Sequence, residues 1–343
     1  MQALREAIYF LVDILGINRF FRSLTRDRVR VLMYHGIGTR PLPTFYWTHI
    51  GNDVFERQMT YLKSRFCVNT FNELLDGADR QSAAVITFDD GLENTFAVAW
   101  PILSRHNLRA ICFVLPELSE KRQRIWADHL YSKVTASPDC EVDLSPVGLT
   151  SIPASSVGDR AERVGETIEA LKSKPESHRR QAVELVEKAC REDSSELRLM
   201  TPGQIKELAE SDEFEVAGHT STHPILSTLT AEEQMEQIGD CLDRLDEWGI
   251  EAPPVFAYPN GRLQDFNQES VTLLKQRGIR AAVSTVDDLW KKDDDLFSIP
   301  RVAVGADTSM LEFKAKLSGF FYFLQNARSM FSSSKPGEGG YGG

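Results

Sequence analysis

Seven short runs of apolar and β-branched residues, at 29–34, 83–88, 109–115, 214–217, 255–258, 279–285 and 299–304, recur along the chain. Between several of them the apolar spacing changes from a strand period to a helix period. Residues 230–248 illustrate the helical spacing: Thr230 with Glu233 forms a capping pattern, Met235, Ile238, Leu242 and Leu245 share a face, and Gly249 stops the helix. A second start signal is Thr201, with Pro202 at the first helical position and Gln204 completing the cap. Strands alternating with helices require crossover connections, hence a parallel sheet or barrel whose ligands sit at the carboxyl ends of the strands.

Residues 117–200 break this rhythm with a polar, charge-dense, mostly helical stretch, which predicts an insertion covering one edge of the site. Residues 1–28 read as an N-terminal amphipathic helix, with Leu4, Ile8, Leu11, Val12 and Leu15 at helical spacing and Arg19, Arg22 and Arg26 beyond. Residues 306–331 read as a C-terminal helical segment and 332–343 as a disordered tail. The chain carries net charge -11, which argues against nucleic acid as a partner. Its ends are different. Residues 1–30 are net +3 and residues 308–343 net +2, and both pair that charge with large side chains: Phe20 and Phe21 in front, Phe313, Leu317, Phe320, Phe321, Phe323 and Leu324 behind. Such a composition suits peripheral contact with an anionic membrane surface.

Five cysteines with no close pair predict neither a disulfide framework nor a Cys metal site, which fits a reducing compartment. The apolar stretch 7–17 is broken by Asp13 and lacks a cleavage pattern, so the expected location is cytoplasmic, at most peripheral to the inner membrane.

Four strand ends carry chemistry. Thr87-Phe88-Asp89-Asp90-Gly91 closes the second run. Adjacent carboxylates ionise together only if the chain turns between them or a cation neutralises one, and Gly91 permits the turn. A helix N-cap is the plainer role for such an Asp. His219-Thr220-Ser221-Thr222-His223 follows the fourth run. Spacing of four puts both imidazoles on one side if the segment is helical, which suits two ligands of one metal, and Thr220 stands where a zinc protease would need its Glu base. Phe256-Ala257-Tyr258-Pro259-Asn260-Gly261 runs into a turn whose main-chain N–H groups could face a ligand. Met33-Tyr34-His35 ends the first run with a histidine.

Together these motifs strongly resemble the polysaccharide deacetylases, the NodB-homology domain of carbohydrate esterase family four, over roughly Arg30 to Gly305. The resemblance implies an α/β fold, a distorted (β/α) barrel of about seven strands, here spanning 29–305. It implies a divalent metal held by Asp90, His219 and His223, with Asp89 as catalytic base. Zinc is the expected ion, with cobalt, nickel or manganese as alternatives. The oxyanion would be met by the metal and a main-chain N–H near Tyr258, with Asn260 and Gly261 in the same substrate-binding turn. No histidine follows His223, and Pro253 and Pro254 stand where familiar members carry an arginine. Two residues are candidates for these roles. The Met33-Tyr34-His35 element resembles the permuted branch typified by biofilm poly-N-acetylglucosamine deacetylases, which assigns His35 as acid, and Arg301 is placed to steady Asp89. Trp126 and Asp128 in the insertion are candidates for a sugar subsite.

The resulting expectation is a metal-dependent carbohydrate N-deacetylase acting on an amino-sugar glycan or its lipid-linked or nucleotide-linked precursor. Its rivals are a catalytically silent glycan-binding protein and a deformylase-type deacylase of a lipid-linked sugar. Asp89 discriminates against the binder, because a silent protein has no use for a base beside a metal ligand.

Overall fold

The structure is a computed structural model that describes residues 2–39, 42, 46–193 and 197–333. The tail expected after residue 331 lies, from residue 334 on, outside the described residues. Ten strands are present: β1 (Arg30–Tyr34), β2 (Gly36–Gly38), β3 (His49–Gly51), β4 (Cys67–Val68), β5 (Ala83–Phe88), β6 (Ala110–Val114), β7 (Phe214–Gly218), β8 (Val255–Ala257), β9 (Ala281–Val283) and β10 (Val302–Ala303). Each of the seven anticipated runs contributes a strand. The short β2–β3 pair and β4 have too few residues to show a period, which is why they escaped the sequence reading.

β10-β1-β5-β6-β7-β8-β9 pair in that order, all in parallel, with β4 alongside the start of β5. The sheet curls towards closure because one segment touches both ends. Ile299 bridges to Val283 of β9, and three residues later Val302 pairs with Leu32 of β1. The result is a distorted (β/α) barrel.

Alternation along the strands sorts side chains to two sides. Val31, Val85, Ile111, Phe113, Ala217, Val255, Ala257 and Val283 form one buried cluster inside the curl, together with Trp290 and Phe71. Leu32, Ile86, Cys112, Val114 and Val216 face outwards into a second cluster with the helices, including Phe55, Met59 and Leu208. This parity decides the site, because Thr87, Asp89 and His219 continue the inward series beyond Val85 and Ala217.

The helical starts form as their sequences direct. Thr230 and Thr201 each make a reciprocal capping box, with Glu233 and Gln204 respectively. The N-terminal region is two helices rather than one, Gln2–Ile14 and Ile17–Leu24, because Gly16 takes a left-handed conformation (φ 73°) that ends the first. They pack on Met310–Ser318 through Arg5–Glu312 and Lys314–Asp13 ion pairs and an Asn18–Ser318 hydrogen bond.

The insertion builds its own small core. Helices Trp126–Ala136, Val157–Lys172 and Glu176–Ala189 enclose Leu130, Val134, Val164, Leu171 and Val186. Here one expectation is corrected: Cys140 and Cys190 form a disulfide, with Cα atoms 5.1 Å apart. Fifty residues separate them in sequence, so spacing gave no sign of it. The two are brought together because each directly follows, or closely follows, a helix of the same packed unit.

Candidate active site

The inward-facing strand ends open into a cavity of about 620 Å³ lined by His35, Asp89, Asp90, His219, His223, Tyr258 and Asn260. Asp89 continues β5, its N–H donating to Tyr34 O at 2.9 Å. The chain then turns sharply. Asp90 and Gly91 both adopt positive φ (74° and 69°), and a Cβ at Gly91 would lie 3.0 Å from Val114 Cγ1, so glycine is required there. That turn sends the two carboxylates in different directions from adjacent residues, and no helix cap is involved.

His219 extends β7, and its Nδ1 contacts Ala257 O at 2.7 Å, which turns Nε2 towards Asp90. The segment to His223 is not helical. Thr220 and His223 have φ of 70° and 63°, and Thr220 Oγ1 accepts from the His223 N–H, folding a tight turn instead. The turn still delivers both rings to one place. His219 Nε2 and His223 Nε2 lie 3.4 and 3.5 Å from Asp90 Oδ1, and the three ligand-type atoms lie within 4.8 Å of one another.

These residues fit a divalent cation. Asp90 Oδ1 is buried without a hydrogen-bond donor, an arrangement costly for a carboxylate unless a cation meets it. The two separations from Asp90 Oδ1 to the imidazoles, 3.4 and 3.5 Å, match the edge of a tetrahedron with metal–ligand bonds of about 2.1 Å. Burial, the largest influence, lowers the His223 pKa to about 4, leaving the neutral imidazole that coordination needs. Burial works to raise the Asp90 pKa, but the close imidazoles, His219 foremost, hold it below the usual carboxylate range.

Arg301 is wholly buried and clamps Asp89 with two parallel bonds, each 2.7 Å, while also donating to Ser284 O and Thr87 Oγ1. Burial alone would raise the Asp89 pKa, yet the Arg301 charge and hydrogen bonds lower it overall. Asp89 is therefore ionised and fixed in orientation. His35 Nε2 lies 4.0 Å from Asp89 Oδ2, and its buried Nδ1 has no hydrogen-bond partner among the described residues.

Tyr258 N–H is engaged with Val283 O at 3.4 Å, Gly261 N–H with Pro259 O at 2.6 Å, and the Tyr258 hydroxyl donates to Phe297 O. Asn260, at φ 60°, presents a buried Nδ2 without an acceptor. Gly261 holds the turn, since a Cβ there would lie 3.0 Å from both Thr285 Cγ2 and Tyr258 O.

Trp126 does not reach this cavity. It packs beside Leu92, Leu118 and Leu199 and lines a separate groove. Residues two apart on a helix point about 200° away from each other, so Trp126 and Asp128 cannot share a cavity, and Asp128 is the one that lines it. Sequence reading missed its neighbours Tyr46, Trp47 and Tyr131. Tyr46 stacks on Tyr131 at 4.2 Å and its hydroxyl donates to Asp128 Oδ1. The first two sit in an aperiodic loop, where an aromatic pair carries no strand or helix signal.

Burial and the nearby Asp90 charge push the Asp128 pKa up to about 7. The folded state then binds an extra proton between roughly pH 4 and 7, so stability falls as pH rises through that window. Asp128→Asn, which mimics the protonated acid, is expected to become progressively more stable relative to wild type as pH rises across it. Melting temperatures measured across the window check this, and a pH-independent difference would contradict it.

The family model described as Polysaccharide deacetylase matches residues 76–282, and the chain belongs to that family. A Bacillus subtilis protein, YxkH, whose name places it among polysaccharide deacetylases, is 26% identical over 116 residues, 34% of this chain and 40% of that protein. The match thus spans less than half the length of that curated relative. Among solved structures, the Streptococcus pyogenes deacetylase PplD in complex with acetate superposes with TM-score 0.56 at 17% identity, covering 84% of this chain and 98% of that one. IcaB from Ammonifex degensii gives 0.56 at 16%, covering 85% and 97%. A polysaccharide deacetylase from Bacillus cereus gives 0.56 at 19%, covering 84% and 69%. These likenesses establish the fold.

Proposed function

We infer that the protein is a metal-dependent hydrolase that removes an N-acyl group, acetyl above all, from an amino sugar in a polysaccharide or its precursor. The observation that carries this reading is Asp89, a buried carboxylate held ionised by Arg301 directly beside the Asp90–His219–His223 cluster. A glycan-binding protein would have no need to keep such a base oriented.

Asp90, His219 and His223 would hold the cation, zinc by default for this donor set, with cobalt, nickel or manganese as alternatives. When bound, such a cation supplies Lewis-acid polarisation of an amide too unreactive to be hydrolysed unaided. Asp89 takes the proton of the attacking water, and Arg301 keeps its carboxylate aimed. Asn260 Nδ2 supplies a donor for the developing oxyanion. His35, whose Nε2 lies 4.0 Å from Asp89 Oδ2, returns a proton to the leaving amine nitrogen. The aromatic faces of Tyr46, Trp47 and Tyr131 provide apolar stacking surface for a pyranose ring, with Asp128 positioned to accept from its hydroxyl groups.

Acetate or formate release from N-acetylated and N-formylated oligosaccharides and sugar nucleotides tests this. Release is expected to fall to background with a chelator and to return with added zinc or cobalt. Turnover unaffected by metal removal would overturn the reading, and formate without acetate would redirect it to deformylation.

A further inference from the structure

Of the thirteen large apolar side chains exposed among the described residues, eight lie on the terminal helices or the turn after the first: Leu4, Phe10, Leu11, Ile14, Leu15, Phe20, Leu24 and Phe323. Leu4 and Leu15 are each 68% exposed. The first helix therefore has two apolar faces. Tyr9 and Val12 anchor one against Ala315 and Phe320. Leu4, Ala7, Leu11, Ile14 and Leu15 fall within about 100° of arc on the other, and all are exposed.

Charge is sorted on the same helices. The two acids of the first helix are turned to the protein, Glu6 accepting from Ser309 and Asp13 pairing with Lys314, which leaves Asp27 as the exposed acid of the segment. Exposed Arg19 and half-buried Arg22 on the second helix, and exposed Arg26 in the turn that follows it, take part in none of the described ion pairs. The C-terminal apolar residues that looked equally suited to a membrane are mostly core: Phe313 and Leu317 are wholly buried and Phe320 nearly so. The uncovered surface is thus chiefly the work of residues 4–26.

We propose that this surface docks the protein on an anionic lipid bilayer, the first helix lying in the interface with its Leu4–Leu15 stripe among the acyl chains and the arginines on the headgroups. Charge decides for lipid over a second copy of the chain, because a self-interface would set these unpaired arginines against their own equivalents. The position also suits the site. Ser309, which holds the start of the helix, follows closely on Ala306, whose N–H donates to O of cavity-lining Trp47. The docked helix is thereby tied to the segment that supports the cavity wall, which suits a lipid-linked substrate. This last point rests on the hydrolase reading, whereas the docking itself does not.

The test is co-sedimentation of the full chain with vesicles of phosphatidylcholine alone and of an equimolar mixture with phosphatidylglycerol. Binding is expected to the mixed vesicles, weaker to the neutral ones, and reduced by salt. Leu11→Glu with Leu15→Glu should lower the bound fraction by roughly tenfold or more, and Arg19→Ser with Arg26→Ser by about fivefold per arginine. Both pairs are surface positions, so circular dichroism and acetate release from a soluble N-acetylated oligosaccharide should match wild type. Acetate release by all variants without vesicle binding would overturn docking and leave the hydrolase standing, and binding without release would do the reverse. Equal binding by wild type and the Leu11/Leu15 variant, or a solution dimer that this variant dissociates, would also overturn it.

Discussion

Asp89→Asn is expected to lower kcat by about 10²–10⁴-fold, the usual worth of a positioned general base, while leaving metal content unchanged. Asn keeps the volume and can still accept one hydrogen bond from Arg301, so the fold should survive. It cannot take a proton from water. Asp89 is not among the three clustered ligands, so the variant should still bind the cation that Asp90→Asn would lose. Steady-state kinetics of acetate release alongside metal analysis separate the two effects. A variant with wild-type turnover would remove Asp89 from the mechanism, and one that loses metal would make it a ligand.

Arg301→Ala should cost about 3–5 kcal/mol of stability, because it leaves a carboxylate buried without its cation. Both partners are almost fully inaccessible, at 0% and 3% side-chain exposure, so solvent cannot take over the lost interaction. With the guanidinium gone, burial is the largest influence left on Asp89, and its pKa should rise. The acid limb of the activity profile should then move to higher pH. Denaturant midpoints and pH–rate profiles of whatever folds would show both changes. Arg301→Lys retains charge but not the two-pronged geometry, so it should recover part of the stability and less of the activity. Unchanged stability in Arg301→Ala would mean that water or another cation reaches Asp89.

The two effects have a common origin in the barrel interior. In the proposed mechanism a base at Asp89 must be desolvated and yet ionised, and the Arg301 clamp reconciles those conditions. Its strong grip makes Asp89 a weaker base. On the proposed mechanism the water would have to be acidified, and a cation held by Asp90, His219 and His223 would supply that chemistry.

Much of this was legible in the residues. β5 and β6 announce themselves through the apolar runs Ala83–Ile86 and Ala110–Val114, since strands buried on both sides need no polar alternation. Thr201 and Thr230 mark helix starts because a capping box is a local arrangement over four residues. Asp89-Asp90-Gly91 and His219–His223 stand out because charged or metal-binding groups at the end of a buried strand are costly without a purpose. The Cys140–Cys190 pairing was not legible, and neither was the Tyr46–Asp128 contact, because both join segments through folding rather than through sequence spacing.

What the chain determined by itself is whatever local periodicity and turn chemistry encode: the order of strands and helices, the caps, and the glycine that lets Asp90 leave the line of Asp89. Tertiary structure decided the rest. Only closure of the sheet carries Arg301 across 212 residues to Asp89, and only helix geometry chooses Asp128 over Trp126 for the cavity. The physical reason is range. Backbone preferences act over a few residues, whereas desolvation and charge pairing depend on which distant segments the barrel brings within hydrogen-bond reach.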